Sequence, residues 1–181
     1  ADLHVSLRVL DVLKERGNEA LGEVLVSSIV TIFKKMKFDT HENLGFGSVD
    51  IPELEMHTTA AWLALDEPVF AGIEKEQAQN AMVGISYALH TIAPLYLMCA
   101  PTDIHVSYHV KDQFTGKPTL FLSDRVPGGV GLSDKAYDML DLLLDKVRET
   151  IGSCPCENGC PSCLGSAFGA QVKALAQTMI G

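Results

Sequence analysis

The stretch Cys154-Pro-Cys156-Glu-Asn-Gly-Cys160-Pro-Ser-Cys163 holds four of the five cysteines of the chain within ten residues. Thiolates this close together in sequence favour one role above others, which is the binding of a metal ion. Two residues between Cys160 and Cys163 allow a tight turn that directs both sulfurs at one point. Four thiolates leave no open coordination position, so the pattern predicts a structural Zn²⁺ site made by Cys154, Cys156, Cys160 and Cys163.

Two other uses of these cysteines remain open from the sequence. Four cysteines also hold iron–sulfur clusters, although the spacing here matches neither of the common ferredoxin patterns. Disulfides are less favoured, because Cys154 and Cys156 are too close to bridge without strain and no secretory signal can be read. We therefore expect a reduced, cytoplasmic setting. The fifth cysteine, Cys99, lies in an apolar run and is predicted to be a core residue.

Size and charge limit the class of protein. A chain of 181 residues buries about 70% of its unfolded surface on folding, so it does not need a metal merely to have a core. No apolar run approaches the length of a bilayer span, and we expect no membrane partner. The net charge of −9 argues against an extended basic face for nucleic acid. The start at Ala1, without methionine, is interpreted as a piece of a longer protein.

The first part of the chain has the composition of β-strands. The segments Leu3 to Leu13 and Glu23 to Phe38 predict a long antiparallel hairpin with its turn near Gly17. Its second strand ends in a basic island that contains Lys34, Lys35 and Lys37. These lysines either keep an exposed hairpin end soluble and protect a strand edge, or contact nucleic-acid phosphates.

The remaining segments alternate between strand and helix patterns. We predict a helix over Glu74 to Met98 that Pro94 kinks or ends near Ala93. We predict a second helix that begins at an N-cap, Ser133, and continues to Ile151. Strands are predicted over Met56 to Leu65, Ile104 to Val110 and Thr119 to Ser123, a loop over Asn43 to Ser48, and a short last helix over about Gly169 to Ile180.

Two smaller features have both structural and functional interpretations. The glycine-rich loop Pro127-Gly-Gly-Val-Gly131, between a strand and a helix, either binds an anion or makes a tight turn, and the turn is favoured because no phosphate-binding motif is present. The single histidines His41 and His57 have no metal-ligand spacing to a partner and are predicted to be ordinary polar residues.

Together these patterns predict an α+β fold. It has a mixed or antiparallel sheet with a long β-hairpin, two long helices packed on the sheet, and a four-cysteine metal-binding knuckle near the C-terminus. We expect a single domain over residues 1–181. Its expected regions are a β-rich hairpin region (1–66), a helix-strand-strand-helix core (74–151), the metal site (152–166) and a C-terminal helix (167–181).

The chain resembles the C-terminal zinc-binding domain of DEAD/DEAH-box DNA helicases of the mitomycin repair factor A type. The resemblance covers nearly the whole chain. The resemblance rests on four segments, which are Phe33-Lys-Lys-Met-Lys-Phe38, Glu55-Met-His-Thr-Thr59, Pro127-Gly-Gly-Val-Gly-Leu132 and the cysteine stretch. The family's four metal-binding cysteines correspond to Cys154, Cys156, Cys160 and Cys163.

The resemblance implies a non-catalytic module of an ATP-dependent superfamily 2 helicase in DNA repair. Such a module lies against the RecA-like core of the same polypeptide and helps to guide DNA, as a single strand, near Lys34, Lys35 and Lys37. No Walker A motif or DEAD box is present, so no ATPase activity is expected from this chain. Two alternatives remain open: a structural brace without DNA contacts of its own, and an iron–sulfur domain.

Overall fold

The computed structural model describes residues 2–36, 43–48, 52–66, 71–167, 169 and 171–181. Within these residues, six strands form one antiparallel sheet and five α-helices accompany it. The strands are β1 (Asp2–Arg16), β2 (Glu19–Met36), β3 (Asn43–Ser48), β4 (Leu54–Ala64), β5 (Ile104–His109) and β6 (Thr119–Asp124). The helices are α1 (Lys75–Leu97), α2 (Leu132–Asp138), α3 (Leu140–Ser153), α4 (Pro161–Leu164) and α5 (Val172–Ile180). The predicted α+β class is confirmed.

The long hairpin is present and organises the sheet. Strands β1 and β2 are joined by the two residues Gly17 and Asn18, and Gly17 has the positive φ of 62° that the turn requires. The strand order is β1-β2-β4-β6-β5. Strand β2 is longer than β4, and its last residues, from Ile32 to Met36, pair with β3 instead. The prediction of a loop over Asn43 to Ser48 is therefore wrong, because the end of β2 offers backbone groups that β3 pairs.

Buried side chains lie on both faces of the sheet. The main core fills the space between one face and the helices, and includes Ala61, Leu120 and Leu122 from the central strands. A second, smaller cluster on the opposite face contains Val24, Trp62 and Phe121. Every residue of β6 is buried, as expected for a strand inside a sheet that is covered on both sides.

The predicted limits of α1 are confirmed, and only the alternative that Pro94 ends the helix is wrong. Helix α1 begins and ends within one residue of the predicted limits, and Pro94 lies inside it, so the helix does not end near Ala93. The apolar residues that recur at helical spacing along α1 are buried with the exception of Leu95, whose side chain is 75% exposed; the buried ones are Ala78, Ala81, Met82, Ile85, Ala88, Leu89 and Ile92. At about 100° per residue, Leu95 falls beyond the edge of the stripe, and Ala93 and Leu97 are buried instead.

The predicted second helix is divided in two. Met139, with φ −116° and ψ 21°, separates α2 from α3. Ser133 is not the N-cap, because Gly131 precedes the helix with a φ of 89° and Ser133 lies inside the first turn. The apolar face of the two helices is half-buried at Leu132 and buried at Ala136, Tyr137, Leu140, Leu143, Leu144, Val147 and Ile151.

The other predicted elements agree with the structure to within a few residues. This applies to β4, β5, β6 and α5. The division into regions 1–66, 74–151, 152–166 and 167–181 stays a prediction. Across the described residues, no helix combines the length and apolar character that a membrane span requires.

Candidate metal centre

The four cysteines lie together where α3 ends and α4 begins. Cys154 follows the last residue of α3 in an extended conformation, with φ −67° and ψ 130°. Cys160 is the N-cap of α4, and Cys163 lies inside that helix. Gly159 has a φ of 100°, which reverses the chain just before Cys160. A proline at the first position of α4 starts the short helix that directs Cys163 back toward Cys160.

The sulfur atoms have the spacing of ligands to one ion. The Sγ–Sγ distances are 3.5 Å for Cys154 and Cys160, 3.6 Å for Cys156 and Cys163, and 3.8 Å for Cys160 and Cys163. All four atoms lie within 4.8 Å of one another. Four sulfurs arranged tetrahedrally at the usual Zn–S distance are about 3.8 Å apart. The cysteines are free rather than disulfide-bonded, so this donor set fits a single tetrahedral metal ion.

The thiols of Cys160 and Cys163 differ in their readiness to ionise. Backbone N–H groups of Cys163 and Ser162, followed by the Cys154 thiol, lower the pKa of Cys160 to about 6. Burial raises the pKa of Cys163 to about 12. A metal ion bound here would therefore find Cys160 readily ionised and Cys163 resistant to ionisation. Since ligation needs thiolates, affinity for the metal falls as the pH falls.

Helix α1 supports the knuckle through two close contacts that involve glycine. Leu164 is fully buried, and a Cβ atom added to Gly84 of α1 would lie 2.8 Å from its Cδ2 atom. In the other direction, a Cβ atom added to Gly165 would lie 2.7 Å from the ring of Tyr87. Because Gly84 and Gly165 are glycines, the residues after the last cysteine pack directly on α1.

Helix α5 supplies a buried lysine to the backbone of the knuckle. The Nζ atom of Lys173 donates hydrogen bonds to the carbonyl oxygens of Cys154 and Cys156, at 2.6 and 2.7 Å. The lysine is only 8% exposed. Sequence reasoning missed it. One available signal is that Lys173 lies among Val172, Ala176 and Met179 on the buried face of α5, where an unpaired lysine is rarely found.

The glycine-rich loop is held by an internal carboxylate. Asp124 is completely buried, and its oxygens accept hydrogen bonds from the N–H groups of Val130, Leu132 and Ser133, at 2.6, 3.3 and 2.7 Å. The Ser133 hydroxyl donates to the same carboxylate. The donors that an external anion would need are already used, which supports the tight turn over an anion site.

Two segments quoted for the family resemblance form one structural unit. Thr58 donates from Oγ1 to the carbonyl oxygens of Asp124 and Val126, at 3.1 and 2.9 Å. The N–H of Gly128 donates to the carbonyl of His57 at 2.8 Å. The segment Glu55 to Thr59 therefore anchors the loop that precedes α2.

The other candidate residues lie apart from the cysteines. Lys34 and Lys35 belong to β2 and pair with Phe46 and Gly45 of β3, but their side chains are not among those described. Lys37 and His41 fall outside the described residues, as does Phe38. His57 is exposed on β4. Among the described side chains, the four cysteines make the one group of three or more close metal ligands.

Comparison with protein families places this centre in a known class. The family described as the MrfA Zn-binding domain matches residues 85–164, a segment that runs from inside α1 through α4 and includes all four cysteines. The resemblance stated from the sequence is thereby confirmed: residues 85–164 match the zinc-binding domain of MrfA-type helicases.

Individual relatives extend the likeness to the rest of the chain. The uncharacterized ATP-dependent helicase YprA of Bacillus subtilis is 40% identical over 170 residues, which are 92% of this chain and 23% of that protein. The crystal structure of the DUF1998 helicase MrfA bound to DNA is 38% identical, with a TM-score of 0.79 over 99% of this chain and 25% of that one. A crystal structure of the same helicase MrfA has 34% identity and a TM-score of 0.69, over 96% of this chain and 23% of that one. The chain thus spans about a quarter of the length of these relatives.

Proposed function

We propose that this chain is a zinc-binding, non-catalytic module of an ATP-dependent superfamily 2 DNA helicase that acts in DNA repair. The observation that carries the proposal is the set of four sulfur atoms within 4.8 Å, inside the segment matched by the MrfA Zn-binding domain. When bound, the ion supplies no reaction step but a crosslink between the end of α3 and α4, because four thiolates leave it no open position.

Zinc is favoured over an iron–sulfur cluster by the spacing of the ligands. A cluster divides its thiolates among two or more irons and so holds some of them farther apart than a single ion does. Here no pair of ligand sulfurs exceeds 4.8 Å. The name of the matching family points to the same metal.

The DNA-guiding role is supported by the likeness to MrfA and by the hairpin. A structure of MrfA bound to DNA resembles this chain over 99% of its length. Lys34 and Lys35 lie on β2 at the end away from the Gly17 turn, in the part that pairs with β3. With a net charge of −9, the module would make few and local phosphate contacts, next to a RecA-like core in the same polypeptide.

A second candidate function is a structural brace for the helicase core. The observation that favours it is a row of exposed apolar side chains on and just after α1. Tyr87, Leu95 and Met98 are 41%, 75% and 82% exposed. Exposed apolar surface of this kind is typical of a docking face, and such a face would position the core without touching DNA.

Fluorescence anisotropy with a labelled single-stranded oligonucleotide, at two salt concentrations, separates the two functions. We expect the chain to bind, and the binding to weaken as salt rises, because phosphate contacts release counterions. The double variant Lys35→Glu with Lys37→Glu is expected to lose most of the affinity. No binding at low salt would overturn the DNA-guiding role and favour the brace.

A matched control tests whether the position of the charges matters. Lys14→Glu with Lys75→Glu makes the same change in net charge at two exposed lysines, one near the hairpin turn and one on α1. The DNA-guiding account predicts a much smaller loss for this pair. Equal losses for both pairs would show that general electrostatics, rather than the hairpin end, determines the binding.

A further inference from the structure

Lys173 has an unusual environment for a buried lysine. Its side chain lies on the inner face of α5, is 8% exposed, and directs its Nζ atom at two backbone carbonyls. A buried ammonium group is normally stabilised by a nearby negative charge, because taking it out of water is costly. Among the ion pairs of the described residues, none joins Lys173 to a carboxylate.

The thiolates of the neighbouring cysteines can supply this negative charge. Both carbonyls that accept hydrogen bonds from Lys173 belong to residues of the metal site, Cys154 and Cys156. Four thiolates around one Zn²⁺ carry more negative charge than the ion neutralises. The centre is thus an anion when it is loaded, and the ammonium group lies against its backbone.

We propose that Lys173 is the charge-balancing partner of the tetrathiolate centre and fixes the Cys154 to Cys156 segment in its ligating conformation. This inference rests on the zinc site proposed above. It extends that site to α5, a helix that lies beyond the segment matched by the family, which ends at residue 164.

The fold gives Lys173 a fixed position from which to act. Helix α5 is anchored by Val172, Ala176 and Met179, which are all buried in the main core. Two hydrogen bonds from one ammonium group then set the distance between the carbonyls of Cys154 and Cys156. The lysine therefore acts on the metal through the cysteine backbone and through its charge, not as a ligand.

The inference predicts a specific loss of metal affinity. Lys173→Met keeps an unbranched side chain, one heavy atom shorter, but removes the charge and both hydrogen bonds. We expect it to weaken zinc binding by about 10- to 100-fold, the usual effect of removing a group that supports metal ligands, and to speed zinc release. Competition against a chromophoric zinc chelator measures both the affinity and the rate of release.

Two further variants separate charge from packing. Lys173→Arg retains a positive charge and donor groups, and we expect it to recover most of the affinity. Lys146→Met removes a lysine of the same charge whose ammonium group pairs with Glu149 on α3 instead of with the cysteine backbone, and we expect no change. Circular dichroism of each zinc-saturated variant reports whether α5 and the rest of the fold are intact.

The outcomes distinguish this inference from the zinc site itself. Wild-type affinity in Lys173→Met would overturn the role of Lys173 while leaving the zinc site in place. Equal weakening in folded Lys173→Met and Lys173→Arg would overturn charge balance, because packing alone would then explain the loss. A wild-type chain that binds no zinc would overturn the proposed zinc site, and this inference with it.

Discussion

At the scale of single residues, Cys160 and Cys163 have different roles in the same site. Backbone N–H groups of Cys163 and Ser162 prepare Cys160 as a thiolate, with a pKa of about 6. Cys163 is 2% exposed and joins the metal centre to the main core. Of the two, Cys160 is the better position for a substitution that removes a ligand without making a hole in the core.

Cys160→Ser is expected to abolish tight zinc binding and to loosen residues 152–166, while the sheet and α1 stay folded. The reason is that the main core is large enough to form without the ion. Hydrogen exchange, followed by mass spectrometry, measures the two regions separately. Cys99→Ser is the matched control, since Cys99 packs against the core outside the cluster and should retain wild-type zinc binding. Unfolding of the whole Cys160→Ser chain would show that the metal is coupled to folding globally.

Only some residues of the site could be recognised from the sequence. The cysteines could be predicted because their spacing is local and their chemistry is distinctive. Lys173 could not, because the carbonyls it contacts lie 17 and 19 residues earlier and any residue has a carbonyl. Asp124 was missed for a similar reason: its partners are backbone N–H groups, which carry no signal in a sequence.

At the scale of elements, the loop between β6 and α2 is stabilised by residues from outside itself. The Asp124 carboxylate takes the N–H groups that a helix cap would otherwise take, so the prediction of Ser133 as the N-cap failed. Thr58 of β4 holds the start of the loop. The loop is thus held by residues of the central strands β4 and β6 and is not an independent turn.

Two adjacent glycines of this loop provide a test of its packing against β4. Gly128 and Gly129 both have positive φ, at 78° and 74°, so alanine at either position costs about 1–2 kcal/mol in backbone strain. A Cβ atom at Gly128 would meet nothing within 4 Å, whereas one at Gly129 would collide with the Thr59 side chain. We therefore expect Gly129→Ala to lower the free energy of unfolding by about 1–3 kcal/mol more than Gly128→Ala does.

Urea unfolding of the two variants measures this difference directly. Equal losses of stability would mean that the loop does not pack on Thr59 as the structure shows. Because the two substitutions are identical and adjacent, their effects on the unfolded chain cancel in the comparison.

Element prediction succeeded where local periodicity determines the structure. The helical spacing of apolar residues in α1 and the β-strand composition of β1 and β2 were sufficient to place those elements. Element prediction failed at β3 and at Met139, where tertiary contacts determine the structure. Strand β3 forms because β2 is longer than β4. The glycines at 45 and 47 make the β3 segment look like a loop in the sequence. Propensity is a weak guide at such places.

At the scale of the whole molecule, the metal centre lies beside the main core, to which Cys163 and Leu164 belong. The main core joins one face of the sheet to α1, α3 and α5, and the residues that follow the last cysteine pack on α1. The cysteines, Lys173 and the Tyr87 contact together connect the last two helices to that core. In this account the zinc ion fixes the geometry of the C-terminal part of the chain and leaves the fold of the sheet unchanged.

The most direct test of this account is the metal content of the purified chain, measured by inductively coupled plasma mass spectrometry. The account predicts one zinc ion per chain and no stoichiometric iron, because four sulfurs within 4.8 Å fit a single tetrahedral ion. Stoichiometric iron, or a folded chain that retains no metal under reducing conditions, would contradict it.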